Sequence, residues 1–169
     1  MKIVIIGYSG SGKSTLAENL SRHLSIPKLH MDTLQFQPGW MDSDREWMEK
    51  EMRQFLSGHK DWVIDGNYSW CCYEERMERA DQIIFLNFSR WNCLLRAWKR
   101  YCRYKGRVRE SMAAGCPERF DWEFIRWILW DGRTKSARER YQSIHSTYPE
   151  KFLSLKNQKE LDAFLKNIQ

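Results

Sequence analysis

The octapeptide GYSGSGKS, Gly7 to Ser14, stands directly between a β-branched run and a leucine stripe, and that placement restricts the fold more than any other feature of the chain. The run KIVII (Lys2 to Ile6) has no polar alternation, as expected of a strand buried on both faces of a parallel sheet. After the glycines, Leu16, Leu20 and Leu24 recur every fourth residue, which predicts an amphipathic helix from Lys13 to Leu24. SIPKLHMD (Ser25 to Asp32) then reads as a turn and a short second strand ending near Asp32. Strand, glycine loop, helix and strand make a βαβ unit.

The alternation continues. QPGW (Gln37 to Trp40) predicts a turn, and Ser43 with Glu46 forms a capping box opening a helix that presents Met48, Met52, Phe55 and Leu56 and stops near Gly58. Trp62 to Asp65 predicts a third strand broken by Gly66, Tyr73 to Arg79 a short helix, and Gln82 to Phe88 a fourth strand. A helix from Trp91 to Tyr104 is expected to present Trp91, Leu94, Leu95, Trp98 and Tyr101 on one face. One or two helices follow from Trp122 towards Ser146, then a fifth strand, Lys151 to Leu155, and a final helix capped by Asn157 and Glu160. Five short strands separated by helices argue for a three-layer α/β domain with a parallel sheet, one domain over residues 1–169.

GYSGSGKS satisfies G-x-x-x-x-G-K-[ST] in full. Such a loop turns successive backbone N–H groups and a helix N-terminus towards an anion. The expected phosphate-binding residues are Gly7, Tyr8, Ser9, Gly10, Ser11, Gly12, Lys13, Ser14 and Thr15, with Lys13 reaching the β- and γ-phosphates of ATP. The Ser14 hydroxyl is the expected Mg²⁺ ligand, helped by Asp65, which ends the third strand where a carboxylate holds that ion directly or through water. Asp32, across the same carboxyl edge of the sheet, is the candidate to take a proton from an attacking hydroxyl or to bind the acceptor, with a turn or cap role as the plainer alternative. His30 reads as a packing histidine beside it.

Charge narrows the rest. Net charge is +6, yet Ser89 to Arg140 holds 14 Lys+Arg against 6 Asp+Glu while the remainder holds 14 against 16. Within that basic segment, residues 105–121 contain Gly106, Gly115 and Pro117 and predict a mobile lid. Arg103, Arg107 and Arg109, with Arg100 just before, supply guanidiniums that fork onto phosphate oxygens and stabilise a transferring phosphoryl group. Most of the nine tryptophans are expected in the core, with Trp40 and Trp70 in loops. Five cysteines without a CxxC pair predict free thiols and no structural zinc, and the short apolar start and the lack of any run of about 18 apolar residues predict a cytoplasmic protein with no membrane partner.

Taken together, IIGYSGSGKSTLA, PKLHMDTLQFQPGW, WVIDGNYS, ADQIIFLNFSRW and RYKGRVRESMAAGCPERFDWEFI resemble the bacterial DNA topology modulation proteins, P-loop proteins related to adenylate kinase and shikimate kinase. The likeness covers roughly residues 1–130. It implies a P-loop NTPase fold with sheet order 2-3-1-4-5. IDGNY stands where adenylate kinases carry Asp-Gly followed by Phe-Pro-Arg; Asp65 and Gly66 match, Asn67 and Tyr68 depart, and the arginine used on nucleoside monophosphates is missing.

These features predict a small ATP- and Mg²⁺-dependent phosphotransferase acting on a small-molecule, nucleotide- or nucleoside-like acceptor. The alternative is a nucleotide-dependent regulator that binds DNA through the basic 89–140 segment. No N-K-x-D guanine motif supports a GTPase switch.

Overall fold

In a computed structural model, which describes residues 1–168, a parallel five-stranded sheet carries helices on both faces. Its strands are β1 (Lys2–Gly7), β2 (Lys28–His30), β5 (Trp62–Asp65), β6 (Gln82–Leu86) and β7 (Phe152–Leu155). They lie in the order β2-β5-β1-β6-β7, which is 2-3-1-4-5 when the strands of this sheet alone are counted. A separate two-stranded hairpin, β3 (Phe36–Gln37) with β4 (Met41–Asp42), turns on Gly39 and Trp40, both at positive φ.

Burial explains the centre of the sheet. Ile3 to Ile6 of β1 and Trp62 to Ile64 of β5 are inaccessible to solvent, as a sheet covered on both faces requires. Helix α1 (Lys13–Leu24) buries Leu16, Ala17 and Leu20, and α3 (Arg45–Gly58) buries Met48, Met52 and Leu56. Asp44, not Ser43, caps α3, its carboxylate accepting from the Trp47 N–H at 2.9 Å; the charged side chain one residue nearer the helix takes the position. Asn157 and Glu160 cap α8 (Gln158–Ile168) reciprocally. The short helices α2 (Met31–Gln35) and α4 (Tyr73–Arg79) follow β2 and precede β6, so Asp32 stands in the first turn of a helix instead of at a strand end.

One expectation fails: most of the tryptophans lie outside the core. Helix α5 (Arg90–Tyr104) buries Cys93 and Ala97, and leaves Trp91 71% and Trp98 50% exposed. Its small residues bring its backbone against the glycine loop, which a tryptophan face would hold away. The tryptophans are mostly on the surface: Trp62 alone is fully buried, and those of α6 (Trp122–Leu129) and of the turn after it, Trp122, Trp127 and Trp130, are half exposed or more. A 3₁₀ turn (Asp131–Arg133) joins α6 to α7 (Lys135–Thr147). Among the described residues no helix is long and apolar enough to cross a membrane.

Candidate active site

The loop between β1 and α1 is held open by its surroundings. Gly10 lies at φ +80°, and a Cβ there would collide with the Cys93 carbonyl oxygen of α5, so glycine is required both for conformation and for space. Asn67, just beyond β5, clamps the loop's first residue: its Oδ1 accepts from the Gly7 N–H at 3.0 Å and its Nδ2 donates to the Gly7 carbonyl at 2.6 Å. Trp127 of α6 donates its indole N–H to the Ser9 hydroxyl at 3.0 Å. Arg96 of α5 donates to the Ser11 carbonyl at 3.1 Å. Tyr8 turns its ring into the core against Phe85 and Tyr141, beneath the Arg133 guanidinium, so only its backbone faces the loop's hollow.

Several polar groups there fit a phosphate chain. Helix α1 opens at Lys13 without a side-chain cap, which leaves its first N–H groups and the positive end of its dipole facing the cleft. The Ser11 hydroxyl is fully buried with no hydrogen-bond partner. Lys13 folds back to donate to the carbonyls of Gly7 and Tyr8 at 2.9 and 3.2 Å. Burial lowers the pKa of its ammonium, while Asp32 and Asp65 act in the opposite direction.

The carboxylates are oriented by partners that the sequence reading passed over. Asp65, buried at the end of β5, accepts from the Ser14 hydroxyl at 2.9 Å through Oδ2 and from His30 Nδ1 through Oδ1. A carboxylate only accepts, so His30 Nδ1 carries the proton. Ser14 and Asp65 thus present adjacent hard oxygen donors, the donor type that Mg²⁺ selects. Asp32 Oδ1 accepts from the Tyr68 hydroxyl at 2.7 Å. Burial, then the Asp32 charge, push the Tyr68 phenol well above its ordinary range, so it remains a donor. The Tyr68 turn rests on Arg76, a fully buried guanidinium that donates to the carbonyls of Tyr68 at 2.5 Å and Cys71 at 3.1 Å.

A cleft of about 1450 Å³ runs from the loop, past Asp32 and Asp65, to the irregular stretch between α5 and α6. Arg100, Arg103 and Arg109 line it, whereas Arg107 is exposed outside its lining. Arg100 and Arg109 grip one buried carboxylate, Glu118, with Nε distances of 2.7 Å to Oε1 and 2.5 Å to Oε2. The same stretch is fastened to the 36–42 hairpin. The Gly39 N–H donates to the Gly115 carbonyl at 3.1 Å, Cys116 Sγ donates to the Gln37 carbonyl, and Phe36 and Trp40 pack on Met112, Ala113 and Cys116. Of the basic segment, Arg96, Arg100, Arg109 and Arg133 are turned inwards onto protein partners.

The Asn67 clamp carries a specific expectation. Asn67→Ala removes two hydrogen bonds worth about 0.5–1.5 kcal/mol each, so ATP affinity should fall roughly tenfold in a calorimetric titration. Unchanged affinity would mean that the loop holds its shape without the clamp.

No protein-family model matches the chain, and no curated protein matches it. Solved structures do. Deoxyadenosine kinase from M. mycoides with bound dATP matches with a TM-score of 0.60 at 15% identity, over 99% of both chains. Shikimate kinase from Bacteroides thetaiotaomicron gives 0.53 at 17% identity, over 100% of this chain and 96% of that one. An uncharacterized protein from Eubacterium ventriosum gives 0.52 at 16%, over 99% and 95%. The chain therefore shares the fold of these structures, an α/β domain built on a five-stranded parallel sheet.

Proposed function

We propose that this protein is a phosphotransferase that moves the γ-phosphoryl group of ATP to a hydroxyl of a small molecule bound between Asp32 and a lid formed by residues 105–121. The observation that carries the reading is convergence: Lys13, Ser14, Asp32, Asp65 and Arg100 line one cleft. A phosphate loop alone binds a triphosphate. A partnered carboxylate and a partly buried arginine on the same cleft supply the remainder of a transfer site.

In this reading the backbone N–H groups of Gly7 to Thr15 and the α1 N-terminus bind the phosphates, with Lys13 turning from its carbonyl partners onto the β- and γ-oxygens. Ser14 and Asp65 would hold Mg²⁺, which would offset the charge of the phosphates. The acceptor oxygen forms a bond to the γ-phosphorus as the bond from that phosphorus to the β,γ-bridging oxygen breaks; the acceptor's proton passes to Asp32, and ADP leaves. Tyr68 holds the Asp32 carboxylate in place. Arg103, on the cleft wall, stabilises the equatorial oxygens of the group in flight. The motif likeness to the DNA topology modulation proteins belongs to the same reading, as does a cytoplasmic location. The DNA-binding alternative stands second: four cations of the basic segment, Arg96, Arg100, Arg109 and Arg133, are turned inwards onto protein partners, and the cleft residues themselves suit a small molecule.

Excluding water is what separates a kinase from an ATPase. Gly115 sits at φ +76°, and a Cβ there would lie 2.8 Å from Pro38 Cβ, against the hairpin on which the lid is seated. Gly115→Ala adds a left-handed penalty of about 1–2 kcal/mol to that clash. Acceptor-independent ATP hydrolysis should rise several-fold and the 105–121 segment should become more sensitive to protease; unchanged leakage would argue that this contact does not seal the site. The reading as a whole is tested by supplying Mg-ATP with nucleosides, nucleotides, sugars and sugar acids and identifying products by mass spectrometry. A phosphorylated acceptor is expected; phosphate release with no such product across the panel contradicts it.

A further inference from the structure

The acceptor end of the cleft is unusual in the way its charges are matched. Arg100 and Arg109 look suited to a phosphate or carboxylate, yet both guanidiniums already grip Glu118, whose side chain is 4% exposed. Arg109 also donates to the Ser111 hydroxyl at 3.0 Å. Arg119, the next cation along, is paired with Asp121 and Glu123 and lies over the Trp40 ring at 5.3 Å. With Arg100 and Arg109 set against Glu118 and Asp32, these four residues sum to zero net charge. Four aromatic side chains, Phe36, Trp40, Trp70 and Phe124, also line the cleft, with Arg45 over the Trp70 ring and Arg100 over that of Phe124. The buried Trp40 indole N–H has no partner.

Resting on the phosphotransferase reading above, we infer that the acceptor is an uncharged, ring-bearing alcohol of nucleoside type, not its monophosphate or a sugar acid, and that Glu118 sets this preference. An acceptor phosphate in this end would add negative charge beside Asp32 and Glu118, where Arg100 and Arg109 are already engaged and Arg103 on the cleft wall is given to the transferring group. Like charges brought together in a desolvated site cost several kcal/mol. A neutral ring meets aromatic side chains and leaves the Arg100–Glu118–Arg109 set intact. Glu118 is thus a specificity-determining residue, acting through the two arginines that it neutralises.

The test compares kcat/KM, under Mg-ATP, for nucleosides, their 5′-monophosphates and sugar acids in the wild-type protein. The neutral acceptors should be favoured by at least about 100-fold, the factor that a like-charge penalty of several kcal/mol implies. A monophosphate or sugar acid preferred over every neutral acceptor would overturn the inference while leaving the phosphotransferase reading standing. ATP turnover with no phosphorylated acceptor of either class would overturn that reading itself, and the inference with it. In Glu118→Gln, which keeps the side chain's size and frees one positive charge, the discrimination against monophosphate should shrink at least tenfold, with the change in the acceptor's KM. Should that variant fail to fold, the wild-type comparison decides the matter alone; a folded variant with unaltered discrimination removes Glu118 from the account.

Discussion

Replacing Lys13 by alanine is expected to lower kcat/KM for phosphoryl transfer by about 10²–10³-fold, the usual loss when one preorganised contact to developing charge is removed. The fold should survive, because the ammonium's partners are two carbonyls, those of Gly7 and Tyr8, and the first of these keeps the Asn67 carboxamide. Lys13→Ala should therefore show a native circular dichroism spectrum together with a lost thermal shift on adding ATP. Turnover retained within about threefold, far inside the loss expected for such a contact, would remove the loop from the chemistry.

Asp32→Asn carries the second large effect. The substitution keeps the shape that accepts from Tyr68 and deletes the group that takes the acceptor's proton, so kcat should fall by about 10²–10⁴-fold while ATP affinity stays put. Tyr68→Phe should be milder. It removes one hydrogen bond to a charged group, worth about 1.5–3 kcal/mol, and leaves the carboxylate free to rotate away from the acceptor. A loss in Tyr68→Phe as large as in Asp32→Asn would mean that the phenol itself touches the reacting atoms. A small loss in Asp32→Asn would assign proton removal elsewhere.

Local pattern was enough for some of this architecture. The valine and isoleucine run of β1, the leucines of α1 and the strand ending on Asp65 each owe their form to nearest neighbours, so their residues could be read directly. Asn67 and Tyr68 stood out only as departures from a related motif. Their partners, Gly7 and Asp32, are 60 and 36 residues away, and only the sheet order brings them together. Helix α5 misleads for a different reason: its tryptophans suggest a buried face, yet close approach to the loop is possible only through Cys93 and Ala97. Glu118 is the hardest case. Nothing in PERF distinguishes a buried carboxylate gripped by two arginines from a surface one, since the chain between them has no regular period.

The placement of Asp32 corrects a detail that affects the chemistry. As a residue of the first turn of α2, with its side chain held by Tyr68, it is fixed by a helix and by a tyrosine resting on Arg76. A strand-end turn would have left it looser. Arg107 lies outside the cleft lining, Arg100 and Arg109 are engaged by Glu118, and Arg103 takes the proposed role on the cleft wall.

The central claim is that the cleft transfers phosphoryl groups and does not merely hydrolyse them. Its most direct measurement uses ATP labelled in the γ-phosphoryl group, with an accepted ring-bearing alcohol present in excess, counting ADP formed against label in the acceptor. The account predicts one labelled acceptor for each ADP, and loss of both together in Lys13→Ala. ADP accompanied only by labelled inorganic phosphate would contradict it.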